Sequence, residues 1–190
     1  MVKTIRQIFI IVIFSSVTGL LVNWVSPKGI PLVMDMSKYS TGKSDSLKNE
    51  FINNPTDTSV KQEILANKRK PNKQGFIEPQ NIKLDFAKLL YDKNALFIDG
   101  RKAIDYEEGH VKNAINISYE EFHKKDSLER VEIMKKYNKD GIIVCYCKGG
   151  DCELSIDLAY DLARLGFTSV NIYLGGYKEW ETAGHPVERK

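Results

Sequence analysis

The second half of the chain alternates between short apolar runs and segments with helical periodicity. Short stretches rich in apolar residues, which predict strands, lie at residues 95–99, 113–117, 141–147 and 169–174. Segments whose apolar residues recur every three or four positions predict helices at residues 85–90, 120–137 and 154–166, followed by a short one that reaches Trp180. Strands that alternate with helices predict an α/β fold, a parallel sheet flanked by helices on both faces. The carboxyl ends of the strands are then the expected place for functional residues.

The amino terminus has a different pattern, in which an apolar run follows two basic residues. The run extends over residues 8–25, after Lys3 and Arg6. Because a spanning helix needs about 17–25 apolar residues, we predict one N-terminal transmembrane helix. The alternative is a cleaved signal sequence, although small residues are poorly placed for a cleavage site. Two basic residues before the run, against Lys28 after it, favour a single-pass anchor with the carboxyl-terminal domain in the periplasm or another extracytoplasmic space.

The composition between these two regions is polar. Ser, Thr, Asn and Lys dominate residues 34–79, and such a segment buries too little apolar surface to fold alone. We therefore expect three parts in the chain. They are an N-terminal membrane anchor or signal sequence at 1–27, a polar linker at 28–79 and one folded domain at 80–190.

The charge and the cysteine count narrow the classes of function. The 190-residue chain has a net charge of +3, and its lysines are spread among acidic residues, so we expect no nucleic-acid partner.

The three cysteines are too few for a disulfide scaffold. They also lack the second pair of Cys or His ligands that a metal site would need. All three lie in the segment VCYCKGGDCELS. Cys145 is inside the apolar run and is expected in the core, whereas Cys147 ends the run, where a functional loop should begin.

Several motifs, in their order along the chain, resemble the rhodanese-like domain over about residues 80–188. They are Asp99-x-Arg101, Tyr106 before Gly109-His110, the Ala-Ile-Asn strand, Cys147 at the end of the central strand, Gly166-Phe167, Gly175-Gly176, Trp180 and Gly184-His185-Pro186-Val187. The resemblance implies a rhodanese-like sulfurtransferase that carries sulfane sulfur as a persulfide on Cys147. It implies a small donor such as thiosulfate or a polysulfide, or a protein thiol, and neither a cofactor nor a metal. The N-terminal apolar segment is similar to that of a membrane-anchored bacterial subgroup.

The loop after Cys147 suits this chemistry. A thiolate is the nucleophile that takes sulfur from a donor, and glycines let successive backbone N–H groups point toward one sulfur atom. The predicted cradle for the substrate anion comprises Lys148, Gly149, Gly150, Asp151, Cys152, Glu153 and Arg101. The resemblance assigns structural roles near the site to Asp99, as the ion-pair partner of Arg101, and to His110.

The length of the loop and its second cysteine leave alternatives open. Seven residues separate Cys147 from Ser155, two more than in the commoner rhodanese loop. Longer loops are similar to those of phosphatase and arsenate reductase relatives, but no Arg follows to hold an oxyanion, so we expect no phosphatase activity. Cys152 is a possible resolving thiol if its Cα lies within ~7 Å of that of Cys147; otherwise it packs at the helix start. The alternative functions are a non-catalytic or thiol-redox module, in which these two cysteines form a reversible disulfide, and a protein-interaction domain.

Overall fold

The computed structural model describes residues 2–25, 70–150 and 152–189. The chain divides into two compact units, one containing the N-terminal helix and one containing all the other described elements. The first unit is helix α1, Val2–Val25. Its segment from residue 6 to residue 23 is long and apolar enough to cross a membrane, and a signal sequence near the amino terminus would meet the same test. The predicted apolar helix is therefore present.

The second unit alternates strands and helices, as the hydrophobic pattern predicts. Its strands are β1 (Gln80–Ile82), β2 (Leu96–Asp99), β3 (His110–Val111), β4 (Ile115–Asn116), β5 (Ile142–Tyr146), β6 (Ser169–Tyr173) and β7 (Val187–Glu188). Its helices are α2 (Leu84–Asp92), α3 (Ala103–Glu108), α4 (Tyr119–Lys124), α5 (Ser127–Met134), α6 (Leu154–Arg164) and α7 (Gly176–Thr182).

Five of these strands form one parallel sheet in the order β1-β6-β5-β2-β4. Strand β5 lies in the centre, with all five of its residues buried. The two short strands β3 and β7 pair antiparallel as a separate ribbon, with Val111 opposite Val187. The prediction of an α/β fold with a parallel sheet flanked by helices is confirmed.

Alternate side chains of β5 face opposite layers of the core. Val144 belongs to the cluster that contains Trp180 of α7, whereas Cys145 belongs to the cluster that contains Leu162 of α6. This division follows from the period of two in a strand. Cys145 is the predicted core cysteine: it is fully buried, and desolvation raises the pKa of its thiol well above the usual value.

The prediction of a single helix over residues 120–137 is wrong, because the structure has two helices there, α4 and α5. The break is at Asp126, whose side chain accepts a hydrogen bond from the Glu129 backbone N–H, while the Glu129 carboxylate accepts one from the Asp126 N–H. This reciprocal capping box starts a new helix. Leu128, which contributes to the helical periodicity, is 81% exposed.

Candidate functional site

The loop after the central strand holds the candidate nucleophile. Cys147 directly follows β5 and is 1% exposed. Helix α6 starts at Leu154, and the Ser155 hydroxyl in its first turn lies 3.5 Å from the Cys147 sulfur. The sulfur therefore lies near the amino-terminal end of an 11-residue helix, where the helix dipole favours negative charge and hence the thiolate.

Two consecutive glycines give this loop its path. Gly149 has φ +106° and Gly150 has φ +70°, in the left-handed region that glycine adopts without steric cost. A Cβ on Gly149 would overlap the carbonyl oxygen of Gly175. Within the described part of the chain, the backbone N–H groups of Lys148, Gly149 and Gly150 have no hydrogen-bond acceptor. The expected role of these donors in holding an anion stays a prediction.

Helix α7 packs against the same loop from the other side. The Tyr177 N–H donates to the carbonyl oxygen of Cys147 at 2.8 Å, and the Lys178 N–H donates to that of Lys148 at 3.1 Å. Gly176 has φ +63°, and a Cβ there would lie only 2.7 Å from the Cα of Gly149. The Gly175-Gly176 pair therefore allows the close approach of two backbones.

The structure brings most of the predicted cradle together as one continuous loop. Lys148 and Glu153 are exposed, Gly149 is half-buried and Gly150 is exposed. Asp151 lies outside the described residues. Among its described residues, the loop thus presents the cationic Lys148 and the anionic Glu153 to solvent near the buried Cys147.

Arg101, the remaining cradle residue, is engaged in a buried ion pair. Its Nε and Nη2 donate to the Asp99 carboxylate, at 3.0 and 2.6 Å, and Nη2 also donates to the carbonyl oxygen of Gly109. Its guanidinium carbon lies 4.7 Å from the centroid of the Tyr177 ring. The Asp99–Arg101 pair predicted from the resemblance is therefore present, and Arg101 reaches the loop after Cys147 through Tyr177. A direct contact between Arg101 and substrate stays a prediction.

His110 has the environment of a structural residue. The ring is 2% exposed and stacks on Tyr106 with 3.7 Å between centroids. Its Nδ1 lies 2.7 Å from the Tyr106 carbonyl oxygen, so the Nδ1–H is the donor in this bond. Among the residues that the structure describes, no group of three His, Cys, Asp or Glu side chains converges as metal ligands would.

The second cysteine of the loop lies directly against the first. Cys147 and Cys152 are paired as a disulfide, with their Cα atoms 6.5 Å apart. The Cys147 sulfur also lies 3.3 Å from the carbonyl oxygen of Cys152. Cys152 is half-buried, whereas Cys147 is almost completely covered.

Two residues at the site, Ser155 and Tyr177, were not predicted to be functional. The sequence contains a signal for the first but not for the second. Ser155 could have been identified from the sequence, because it lies in the first turn of the helix after the loop. A hydroxyl at that position is close to the end of the preceding strand. Tyr177 could not, because it contacts Cys147 only through tertiary packing of α7 against the loop.

We expect Ser155→Ala to slow alkylation of Cys147 by iodoacetamide about three- to tenfold in the reduced protein. The hydroxyl can donate to the thiolate, and a hydrogen bond to a charged group is worth roughly 1.5–3 kcal/mol at best geometry. Time courses of intact mass would give the rates. Ser169→Ala is the matched control, since Ser169 is also buried but pairs with Ile142 at the opposite end of β5. Equal rates in wild type and Ser155→Ala would contradict the assigned contact.

Comparison with known families gives a match over most of the second unit. The sequence profile of the Rhodanese-like domain matches residues 83–183. Among solved structures, a protein from Bacillus halodurans is 25% identical, with a TM-score of 0.49 over 57% of this chain and 76% of that one. A rhodanese-related protein from Thermoplasma volcanium is also 25% identical, with a TM-score of 0.44 over 60% of this chain and 99% of that one.

Several similar curated proteins have the name tRNA uridine(34) hydroxylase. The protein from Buchnera aphidicola (subspecies Acyrthosiphon pisum, strain Tuc7) is 32% identical over 130 residues, which are 62% of this chain and 40% of that protein. The protein from Photorhabdus laumondii is 39% identical over 93 residues, which are 48% of this chain and 25% of that protein. This chain therefore spans less than half the length of these relatives.

These relatives contradict the prediction that nucleic acid is not a partner, because their name specifies a tRNA. The prediction depended on the net charge of +3 and on the scattered lysines. A net charge averages over the whole chain, so it does not measure the capacity of a local site to contact a nucleic acid. The exclusion is withdrawn.

Proposed function

Because this chain belongs to the rhodanese-like domain family, whose profile covers residues 83–183, we propose that it is a sulfurtransferase that carries sulfane sulfur as a persulfide on Cys147. The observation that carries this proposal is the position of Cys147. Its sulfur lies at the end of the central strand and at the start of α6, 3.5 Å from the Ser155 hydroxyl. That environment favours a thiolate, which is the form that takes sulfur from a donor.

In the proposed reaction the Cys147 thiolate attacks the outer sulfur of thiosulfate. A new bond forms between the two sulfurs, the sulfur–sulfur bond of thiosulfate breaks, and sulfite leaves with the bonding electron pair. The terminal sulfur of the persulfide carries negative charge. The backbone N–H groups of Lys148, Gly149 and Gly150, with the positive end of α6, would stabilise that charge. Exposed Lys148 would attract the anionic donor.

The disulfide sets a condition on this reaction. While Cys147 is paired with Cys152 it has no thiolate to offer, and only 1% of the residue is exposed. Loading therefore requires the reduced pair. We expect thiosulfate to add sulfur only after the chain has been treated with a dithiol reductant that is then removed.

Intact mass of the full chain in detergent micelles tests the proposal. After reduction, wild type treated with thiosulfate should release sulfite in proportion to loading, whereas Cys147→Ser should neither gain sulfur nor release sulfite. Cys145→Ala is the matched control, since Cys145 is a buried core residue, and it should behave as wild type. Equal sulfite release by Cys147→Ser and wild type would refute Cys147 as the carrier.

The curated relatives favour a second candidate function, action on a tRNA. Their name specifies uridine 34 of a tRNA, and the rhodanese-like domain is the part of this chain that belongs to a known family. Mobility shift of total tRNA by the full chain would test this candidate. Retardation of tRNA at protein concentrations that leave a DNA duplex of equal length free would support it. Equal retardation of the tRNA and the DNA duplex would indicate binding through charge alone and would contradict this candidate function.

We also propose that α1 is retained as a membrane anchor, with the domain on the outer face. The support is its apolar length together with Lys3 and Arg6 before the apolar segment. An anchored chain should stay in the membrane fraction during carbonate extraction, and its mass should show that the amino terminus is not cleaved. Protease added outside spheroplasts should digest the domain. A shortened chain released into the soluble fraction would instead identify a cleaved signal sequence.

A further inference from the structure

Cys152 is the second sulfur of the site. Its Cα lies 6.5 Å from that of Cys147, inside the range of about 4.4–6.8 Å found between bridged cysteines. We propose that Cys152 resolves the persulfide of Cys147, releasing the carried sulfur as sulfide and closing the disulfide. This inference rests on the proposed persulfide at Cys147, and it adds a product and a second reacting residue.

The path of the loop makes this reaction a local one. Gly149 and Gly150, both with left-handed φ, turn the chain back after Cys147, and Cys152 returns against it before α6 begins at Leu154. The Cys147 sulfur lies 3.3 Å from the main-chain carbonyl oxygen of Cys152. No rearrangement of the sheet or of the helices is needed for the two sulfurs to meet.

The remaining cysteine does not compete for the persulfide. Cys145 is fully buried within β5, and desolvation raises the pKa of its thiol. A thiol that stays protonated is a poor nucleophile. Cys152, which is half-buried in the loop, is therefore the cysteine that both solvent and Cys147 can reach.

The proposed step balances without an external oxidant. The Cys152 thiol first loses its proton to solvent, and the resulting thiolate attacks Sγ of the Cys147 persulfide. The Sγ–Sγ bond forms, the bond to the terminal sulfur breaks, and that sulfur, which takes up a proton from solvent, leaves with the electron pair as hydrosulfide. The sulfane sulfur is reduced to sulfide, and the two cysteine sulfurs are oxidised to the disulfide.

A thiol reductant is needed to reopen the site. Two monothiols, or one protein dithiol, would reduce the Cys147–Cys152 disulfide and become a disulfide themselves. One complete cycle therefore consumes one sulfane sulfur and two thiol groups, and it yields one sulfide and one disulfide. In the absence of reductant the chain stops after releasing one sulfide.

A single-turnover experiment tests the inference. The full chain in detergent micelles is reduced, freed of reductant and treated with thiosulfate, and then sulfite, sulfide and intact mass are followed together. Wild type should release one sulfide per sulfite and finish two hydrogens lighter than the reduced chain. Cys152→Ser and Cys152→Ala should release sulfite, retain one extra sulfur and show loss of sulfide release. Cys145→Ala should match wild type.

The readouts separate this inference from the proposed function. If wild type releases sulfite but keeps the extra sulfur on Cys147, Cys152 does not resolve the persulfide, although the carrier function stands. Sulfur found by peptide mapping on Cys152 would mean transfer between the two cysteines, and this result would also overturn the inference. If no variant and no wild-type sample releases sulfite, both proposals fail.

Discussion

Arg101→Met is expected to lower the free energy of unfolding by about 3–5 kcal/mol, the usual cost of removing one partner from a buried ion pair. Asp99 is completely buried and accepts hydrogen bonds from the Arg101 side chain and from the Arg101 backbone N–H. Methionine fills a similar volume but supplies no donor. The Asp99 carboxylate would then be buried without its counter-ion. Urea unfolding of the full chain in micelles, followed by near-ultraviolet circular dichroism, would measure the loss.

An exposed ion pair in the same domain provides the control. Lys88 contacts Asp92 at 2.6 Å, but the Asp92 side chain is half exposed, so Lys88→Met should cost less than about 1 kcal/mol. The double variant Asp99→Leu with Arg101→Met should recover part of the loss, because it leaves no unpaired buried charge. If Arg101→Met costs no more than Lys88→Met, the buried pair does not stabilise this corner of the domain.

Gly176→Ala is expected to destabilise the domain by about 3 kcal/mol, from two sources. A residue with a Cβ in the left-handed region costs roughly 1–2 kcal/mol, and overpacking a filled space adds roughly 1–3 kcal/mol. The Cβ would lie 2.7 Å from the Cα of Gly149 and would also overlap the Cys147 carbonyl oxygen. To relieve the overlap, α7 must move away from the loop after Cys147. Urea unfolding would again measure the change in free energy.

Gly184→Ala separates the two sources. Gly184 has φ +71°, close to the +63° of Gly176, but within the described part of the chain no atom beyond its own residue and its chain neighbours lies within 4 Å of a Cβ built there. Only the conformational cost of about 1–2 kcal/mol applies to this variant. If the two variants lose equal stability, the close approach of α7 to the loop is not a constraint. If Gly176→Ala loses more, as we expect, the reduced variant should also alkylate faster at Cys147, because its loop is less covered.

The hydrophobic pattern predicted the secondary structure correctly where the strand is also buried. The central strand reads as a continuous apolar run because both faces of β5 are covered, and such runs are typical of parallel sheets. The end of that run placed Cys147 at the start of a loop. Because side chains alternate between the two faces of a strand, Cys145, two positions before Cys147, is a core residue on the α6 side.

The pattern failed where short polar interactions decide the structure. Between α4 and α5, the apolar spacing continues across a break that the Asp126 capping box creates. Strands β3 and β7 are two residues long each, and their pairing depends on the chain end returning to residues 110–111. Such a contact leaves almost no periodicity to detect.

The candidate site was predictable only in its sequential part. The loop from Lys148 to Glu153 is contiguous, so its residues are brought together by the chain itself. The α7 side of the site depends on Tyr177 and Gly176 meeting Cys147 and Gly149 across the fold. Spacing along the sequence carries no information about that distance, nor about the position of the Tyr177 ring over Arg101.

The strand order also fixes a sequence of events during synthesis. Strand β1 is the first of the sheet to leave the ribosome, yet its one neighbour in the sheet is β6, which follows five intervening helices and four strands. The edge of the sheet therefore cannot close until β6 has emerged, whereas α1 is synthesised before every strand of the sheet. Any targeting machinery that recognises an apolar helix meets this chain before its domain is folded.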